Sequence, residues 1–158
     1  VCYDVSNSRA KSFLNRLHLG QAVYGIVALS QILSMKRETL TVSVDDGAPF
    51  RCSSAYFTAA MNVPYEGGGF RFCPDADPGD GILNYICAHS LARPFLIFVM
   101  PLAFFGKHTR IRGIRLGTFR SLSVSAPSPL CVHTDGEHFG FSRQVTFSLH
   151  PEKLRVIL

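Results

Sequence analysis

The amino-acid sequence predicts a mainly β fold, a two-layer antiparallel β-sandwich with one or two helices. Three observations carry this expectation. Short apolar runs recur at close spacing and alternate with polar residues, the turns between them are rich in Gly, Asp and Pro, and helical periodicity is confined to two stretches. A parallel sheet would need a long crossover between every pair of strands, and the sequence leaves no room for them.

In chain order the first element is a helix. After Gly20 the run QAVYGIVALSQILSMK places Ala22, Val23, Ile26, Val27, Leu29 and Leu33 on roughly one helical face, with Lys36 and Arg37 in the last turn, where the helix dipole favours cations. The period then changes to two. ETLTVSV sets Leu40, Val42 and Val44 against Thr39, Thr41 and Ser43, and Asp45-Asp46-Gly47 supplies turn chemistry before the apolar run AYFTAAM at 55–61, which predicts a β-hairpin. Further strands are expected at 70–72, 82–88, 111–116, 122–125, 131–134, 145–149 and 154–158. Residues 94–105, PFLIFVMPLAFF, predict a second helix that Pro101 would kink or end, with the buried core as its ordinary place.

One domain is expected over residues 1–158, a length sufficient for one core and short for two. The formal charge of +5 favours anionic partners without naming one. Cys2, Cys52, Cys73, Cys87 and Cys131 are odd in number and widely spaced, with no C-x-x-C pair and no His spacing suited to zinc. This pattern points to a reduced, cytoplasmic chain in which each cysteine is a small buried apolar residue. No signal peptide opens the chain, and the apolar 94–105 segment is shorter than the ~18–20 residues a helical membrane span requires. The chain opens on Val1 without a Met, as a fragment or a processed product would.

The stretch CPDADPGDGIL, residues 73–83, crowds Asp75, Asp77 and Asp80 into a loop with Pro78, Gly79 and Gly81, just after the Gly67-Gly68-Gly69 triplet. An EF-hand loop would need Gly at position 6 and Glu at position 12; counting from Asp75 these are Asp80 and Ile86, so the match fails. Asp77 and Asp80 remain as hard oxygen donors that backbone carbonyls could complete into a Mg²⁺ or Ca²⁺ site, against the plainer reading of an acidic turn. In CVHTDGEHFGF, residues 131–141, Asp135-Gly136 reads as a strand-linking turn; the functional alternative makes Glu137 a general base at the lip of a cleft, with His133 and His138 as ordinary surface residues. Arg110, Arg112, Arg115 and Arg120 alternate with apolar residues as a strand with one basic face would, and no aromatic-interleaved motif supports nucleic acid as a partner.

The order of these motifs says more than any one of them. The segment NVPYEGGGFRFCPDADPGDGIL, then Asp135-Gly136-Glu137 and a terminal strand pair, resembles the C-terminal half of the diacylglycerol kinase catalytic family, which includes sphingosine and ceramide kinases and bacterial lipid kinases. The resemblance covers nearly the whole chain. It implies a C-terminal β-sandwich that meets a separate nucleotide-binding domain, with ATP and a lipid alcohol, diacylglycerol-like or sphingoid, in the cleft between them. By the same resemblance Asp80, with the carbonyls of Asp77 and Ile82, would help hold Mg²⁺, and Glu137 would be the base for the acceptor hydroxyl. Gly67, Gly68, Gly69 and Asp135 would line the substrate cleft. The family's G-G-D-G-T nucleotide signature has no counterpart in these residues, so the chain alone is expected to be inactive. A peripheral position at a membrane surface follows for a protein with a lipid substrate; the Arg-rich stretch beside an exposed 94–105 segment would then suit anionic headgroups, against the ordinary reading of 94–105 as buried core. A homodimer is compatible with all of these motifs. The rival expectation is a non-catalytic β-sandwich binding module that uses the acidic loop for a divalent cation or a sugar. A binding module should hold a complete ligand site, whereas a kinase half should expose one apolar face made to meet an absent domain.

Overall fold

A computed structural model of the chain describes residues 34–66, 69–135, 137–150 and 152. The elements are β1 (Glu38–Val44), β2 (Phe50–Met61), β3 (Leu83–His89), α1 (Arg93–Phe104), β4 (Ile114–Phe119), β5 (Ser121–Thr134) and β6 (Glu137–Ser148). All strand pairs are antiparallel, in the order β4-β3-β2-β1-β5-β6. The mainly β expectation is met. The helix predicted after Gly20 and the strand predicted at 154–158 lie outside the described residues, apart from the end of that helix at Ser34.

The connection from β4 to β5 decides the shape of the sheet. Only Arg120 separates the two strands in sequence, although three strands lie between them in the sheet. In a flat sheet four strand spacings of ~4.8 Å would hold them ~19 Å apart, yet one intervening residue spans at most about 7.6 Å. The sheet must therefore roll until β4 meets β5. Asp45, at φ 49° in the β1–β2 turn, clamps this junction: its Oδ1 accepts the N–H groups of Arg120 (2.9 Å) and Ser121 (2.8 Å), and its own N–H donates to the Ser121 carbonyl (2.8 Å).

Strand β2 makes the corresponding bend. Its first residues pair with β1, Phe50 opposite Val42 and Cys52 opposite Leu40, and its last pair with β3, Thr58 opposite Cys87 and Met61 opposite Asn84. Between them Ser54 takes a left-handed conformation (φ 51°) and the register shifts, as at a β-bulge. The roll encloses a core of Leu40, Val42, Cys52, Ala55, Tyr85, Cys87, Phe119, Leu122 and Val124. Arg115 lies at the margin of this core, its guanidinium 3.4 Å from the centre of the Phe50 ring.

Residues 84–88 of β3 are all buried because the strand is covered on both faces. Tyr85 and Cys87 join the enclosed core, while Ile86 packs with Met61, Cys73 and Ala76, and Ala88 packs with Tyr56, Leu91 and Leu96 of α1. The loop before β3 and α1 after it thus form an outer cover on the sheet.

Four expectations are corrected. Residues 94–105 are not core: α1 buries only Leu96, Val99 and Ala103, and it starts one residue earlier, with Pro94 in its first turn where the missing N–H costs nothing. The strand expected at 111–116 is Ile114–Phe119, because Gly113 turns the chain at φ +100° with its position tight against the His89 carbonyl; Arg110 and Arg112 therefore lie in the preceding loop and only Arg115 is in β4. At 70–72 there is a single bridge, Glu66 to Phe70, rather than a strand. Cys131 is exposed on the outer part of β5, while Cys52, Cys73 and Cys87 are buried as expected and Cys2 lies outside the described residues.

The loop after α1 is pinned by His108, which is 1% exposed. Its Nε2 donates to the Phe72 carbonyl at 3.0 Å, and its Nδ1 is buried with no hydrogen-bond partner. Burial holds its pKa below the ordinary value, with the Phe72 carbonyl opposing that shift in part. A folded-state pKa below the unfolded one means the stabilising contribution is complete above the unfolded value of about 6.5 and is lost as pH falls through the folded pKa. We expect the melting temperature to fall as the pH is lowered below about 6.5, and His108→Gln to flatten that slope; a slope unchanged in His108→Gln but removed in His89→Gln would assign it to His89, which burial and Arg115 also depress. Asp45 is shifted down by the Ser121 and Arg120 N–H groups, so its contribution is present above the ordinary carboxylate range and lost in acid. Asp45→Ala should melt lower than Asp45→Asn, which keeps one acceptor oxygen, and both should lose the wild-type acid dependence; equal melting of all three proteins would remove the clamp from the account.

Candidate functional site

The first part of the candidate site is the glycine loop. The Glu66 N–H donates to the Phe70 carbonyl (2.8 Å) and the Gly69 N–H to the Glu66 carbonyl (3.2 Å), which closes residues 66–70 into a tight loop. Gly67 and Gly68 fall outside the described residues. Gly69 has φ +87°, and a Cβ there would lie 3.4 Å from the Phe104 ring. Phe70 meets Phe104 edge-on at 6.0 Å and stacks with Phe72 at 5.7 Å, and Phe72 meets Phe57 at 5.3 Å. The loop therefore rests on a row of aromatic rings that runs from β2 to the end of α1.

The second part is the acidic loop. Cys73 and Ala76 are buried against Met61 and Ile86, and they hold the loop down while Asp75, Asp77 and Asp80 stay exposed. Burial, with Asp75 nearby, pushes the Cys73 thiol up to about 12, so it stays protonated and inert. Two carboxylates are occupied with their own backbone: Asp77 Oδ1 accepts the Gly79 N–H and Asp80 Oδ1 accepts the Ile82 N–H, each at 2.8 Å. Gly81, at φ +74°, completes the bend. Among the described residues no group of three or more His, Cys, Asp and Glu side chains could hold a metal ion. The donors available around Asp80, its carboxylate and the carbonyls of Asp77 and Ile82, are all hard oxygens, a set that suits Mg²⁺ or Ca²⁺ and requires backbone or water to complete it.

The third part is the tip of the β5–β6 ribbon. Strand β5 pairs with β1 only over residues 122–125, and the β5–β6 register breaks between Ser125 and Leu130, where Pro127 and Pro129 have no N–H to donate. Beyond that break the two strands continue as a ribbon of their own. Asp135 takes a left-handed conformation (φ 48°) beyond the Thr134–Glu137 and His133–His138 pairs, the last pairs of the ribbon. Glu137 is exposed at the first pair after the turn, and Phe139 and Phe141 beside it are 80% and 65% exposed.

The structure brings the glycine loop, the acidic loop and the end of α1 together. The Arg71 N–H donates to the Ala103 carbonyl (3.1 Å), and the Cys73 N–H to the Pro64 carbonyl (3.3 Å). Glu137 is carried separately, on β6, which among the described strands pairs only with β5. The exposed alternative for 94–105 is the one the structure favours: the outward side of α1 exposes Phe95, Ile97, Phe98, Leu102, Phe104 and Phe105. The signal was there: an apolar run with no polar side chain on any face has no solvent side. A shallow groove of about 400 Å³ lined by Thr39, Thr41, Arg51, Ser125, Ala126 and Pro127 contains none of the expected site residues.

Comparison with known proteins supplies the family. A family model described as the YegS C-terminal NAD kinase beta sandwich-like domain matches residues 2–158. The chain is 25% identical over 142 residues to "Putative lipid kinase YtlR" of Bacillus subtilis (strain 168), covering 89% of this chain and 45% of that protein. It is 31% identical over 96 residues to a diacylglycerol kinase of Mycobacterium tuberculosis (strain CDC 1551 / Oshkosh), covering 61% of this chain and 30% of that one. The chain thus spans less than half the length of these curated relatives. Among solved structures, a "putative diacylglycerol kinase" from Bacillus anthracis str. Sterne superposes with a TM-score of 0.57 at 19% identity, over 76% of this chain and 41% of that one, which shows a shared fold. With a match that runs from residue 2 to the last residue, the chain belongs to the family of YegS C-terminal, NAD-kinase-like β-sandwich domains.

Proposed function

We propose that this chain is the lipid-side part of an ATP-dependent lipid kinase that phosphorylates the hydroxyl of a diacylglycerol-like or sphingoid lipid at a membrane surface. The observation that carries the reading is the presentation of Glu137. The last pair of the β5–β6 ribbon, Thr134 opposite Glu137, holds this carboxylate exposed, where a substrate and a second protein unit can both reach it. The names of the relatives, lipid kinase and diacylglycerol kinase, agree with it.

In this reading the lipid hydroxyl oxygen attacks the terminal phosphorus of ATP, its proton passes to Glu137, and ADP leaves. Phosphoryl transfer depends chiefly on positioning and on neutralising the phosphates. The residues described here contain no phosphate cradle of the G-G-D-G-T kind, so the ATP phosphates would be held by residues outside this sequence. Asp80, with the carbonyls of Asp77 and Ile82, would hold Mg²⁺ and fix the bend of the acidic loop. Gly67, Gly68, Gly69 and Asp135 would line the cleft, where the lack of side chains at the glycines lets a substrate approach the backbone. The rival binding module has less support: the acidic loop is open and two of its carboxylates serve their own backbone.

Glu137→Gln in the full-length protein tests the assignment. We expect kcat for lipid phosphorylation to fall roughly 100- to 10,000-fold with little change in the lipid KM, as for loss of a general base. Turnover close to wild type would remove Glu137 from the role of base.

A further inference from the structure

From Pro94 to Phe105 no side chain carries a hydrogen-bonding group. One side of α1, Leu96, Val99 and Ala103, packs on the domain, and the other leaves Phe95, Ile97, Phe98, Leu102, Phe104 and Phe105 in the open, with Phe98 and Phe105 each 67% exposed. A protein partner ordinarily makes a hydrogen bond for every ~100–200 Å² of interface, and six large side chains without one donor or acceptor offer none. Hydrocarbon asks for none. At 12 residues the helix is about 18 Å long, too short to cross a bilayer and long enough to lie in its surface.

Along the chain the charge flanking the helix is one-sided, the acids of the 75–80 loop lying on the preceding segment. Residues 81–134 contain no Asp or Glu and carry Arg93, Lys107, Arg110, Arg112, Arg115 and Arg120. The Lys107 N–H donates to the Leu102 carbonyl at the helix end, and the loop then runs back along α1, where Ile111 packs in the cluster that holds Leu96. This leaves Lys107, Arg110 and Arg112 exposed beside the apolar face. An apolar strip bordered by cations complements the acyl boundary and the headgroups of an anionic leaflet.

We infer that α1 is a membrane-docking element: its outward aromatic face enters the acyl boundary of an anionic bilayer while Lys107, Arg110 and Arg112 contact the headgroups. The choice of a bilayer over a protein rests on the lipid-kinase reading as well as on this chemistry. Docking would also bear on the candidate cleft, because Phe104 lies on both Phe70 and the open side of Gly69, so the glycine loop stands directly behind the docking face.

The test is co-sedimentation of the full-length protein with vesicles of phosphatidylcholine alone and of phosphatidylcholine mixed with phosphatidylglycerol, with lipid phosphorylation in detergent micelles measured alongside. The wild-type protein should bind the mixed vesicles, more weakly as salt is raised. Phe98→Ser with Phe105→Ser, both exposed and so without a large effect on folding, should weaken binding about tenfold or more. Lys107→Glu, Arg110→Glu and Arg112→Glu together should abolish the preference for phosphatidylglycerol. Vesicle binding unchanged in both variants would overturn the inference, as would a wild-type dimer that the two Phe substitutions convert to a monomer, which would assign the face to a second copy. Binding through this face by a protein that phosphorylates no lipid even in micelles would defeat the kinase reading and leave the docking face standing; phosphorylation in micelles without vesicle binding would do the reverse.

Discussion

The architecture depends on a junction one residue long. Arg120 alone joins β4 to β5, and the sheet must curl for two strands four positions apart to meet there. The Asp45 carboxylate makes that meeting a defined one by accepting two consecutive N–H groups that no strand partner takes. From it follow the bend of β2 at Ser54, the enclosure of Phe119 and Leu122 in one core, and the burial of β3 on both faces. A single hydrogen-bonded sheet thereby does the work of two packed layers.

The roll also sets out the candidate site. Because β3 is covered on its outer face, the loop that enters it and the helix that leaves it have to pack against each other. Phe70 against Phe104, Arg71 bonded to the Ala103 carbonyl and Phe72 bonded to His108 make the contact. The glycine loop, the acidic loop and α1 are consequently one block, while Glu137 is carried separately, on the β5–β6 ribbon. A cleft assembled from these parts would be closed by something that bridges them, which agrees with a chain spanning less than half of its curated relatives.

Much of this was legible in the sequence, and the misses have physical causes. Alternation gave β1 correctly, because Leu40 and Val42 face one enclosed core and the threonines face out. The Asp45-Asp46-Gly47 turn and the left-handed Asp135 were also legible, since positive φ favours such residues. Local pattern could not show that 122–125 and 131–134 form one strand, as the register break at Pro127 and Pro129 interrupts the alternation without ending β5. It could not show that Gly113 turns the chain ahead of β4, which depends on a contact with distant His89. For residues 94–105 the sequence left buried core and an exposed membrane-facing surface as alternatives, core being the ordinary one because apolar side chains are usually buried; the packing of only three of them on the domain decides between the two. The acids of the 75–80 loop stood out for their number, whereas the Asp45 carboxylate, which closes the fold, looked like an ordinary turn residue.

The central claim is that this domain serves the transfer of phosphate from ATP to a lipid hydroxyl. It is tested most directly by supplying the encoded full-length protein with ATP labelled on the terminal phosphate and a panel of lipid alcohols, including diacylglycerol and sphingosine, beside the 158-residue chain alone. Lipid-dependent label transfer is expected from the full-length protein and none from the isolated chain. Label released only to water, or no transfer to any lipid by a full-length protein that binds ATP, would contradict it.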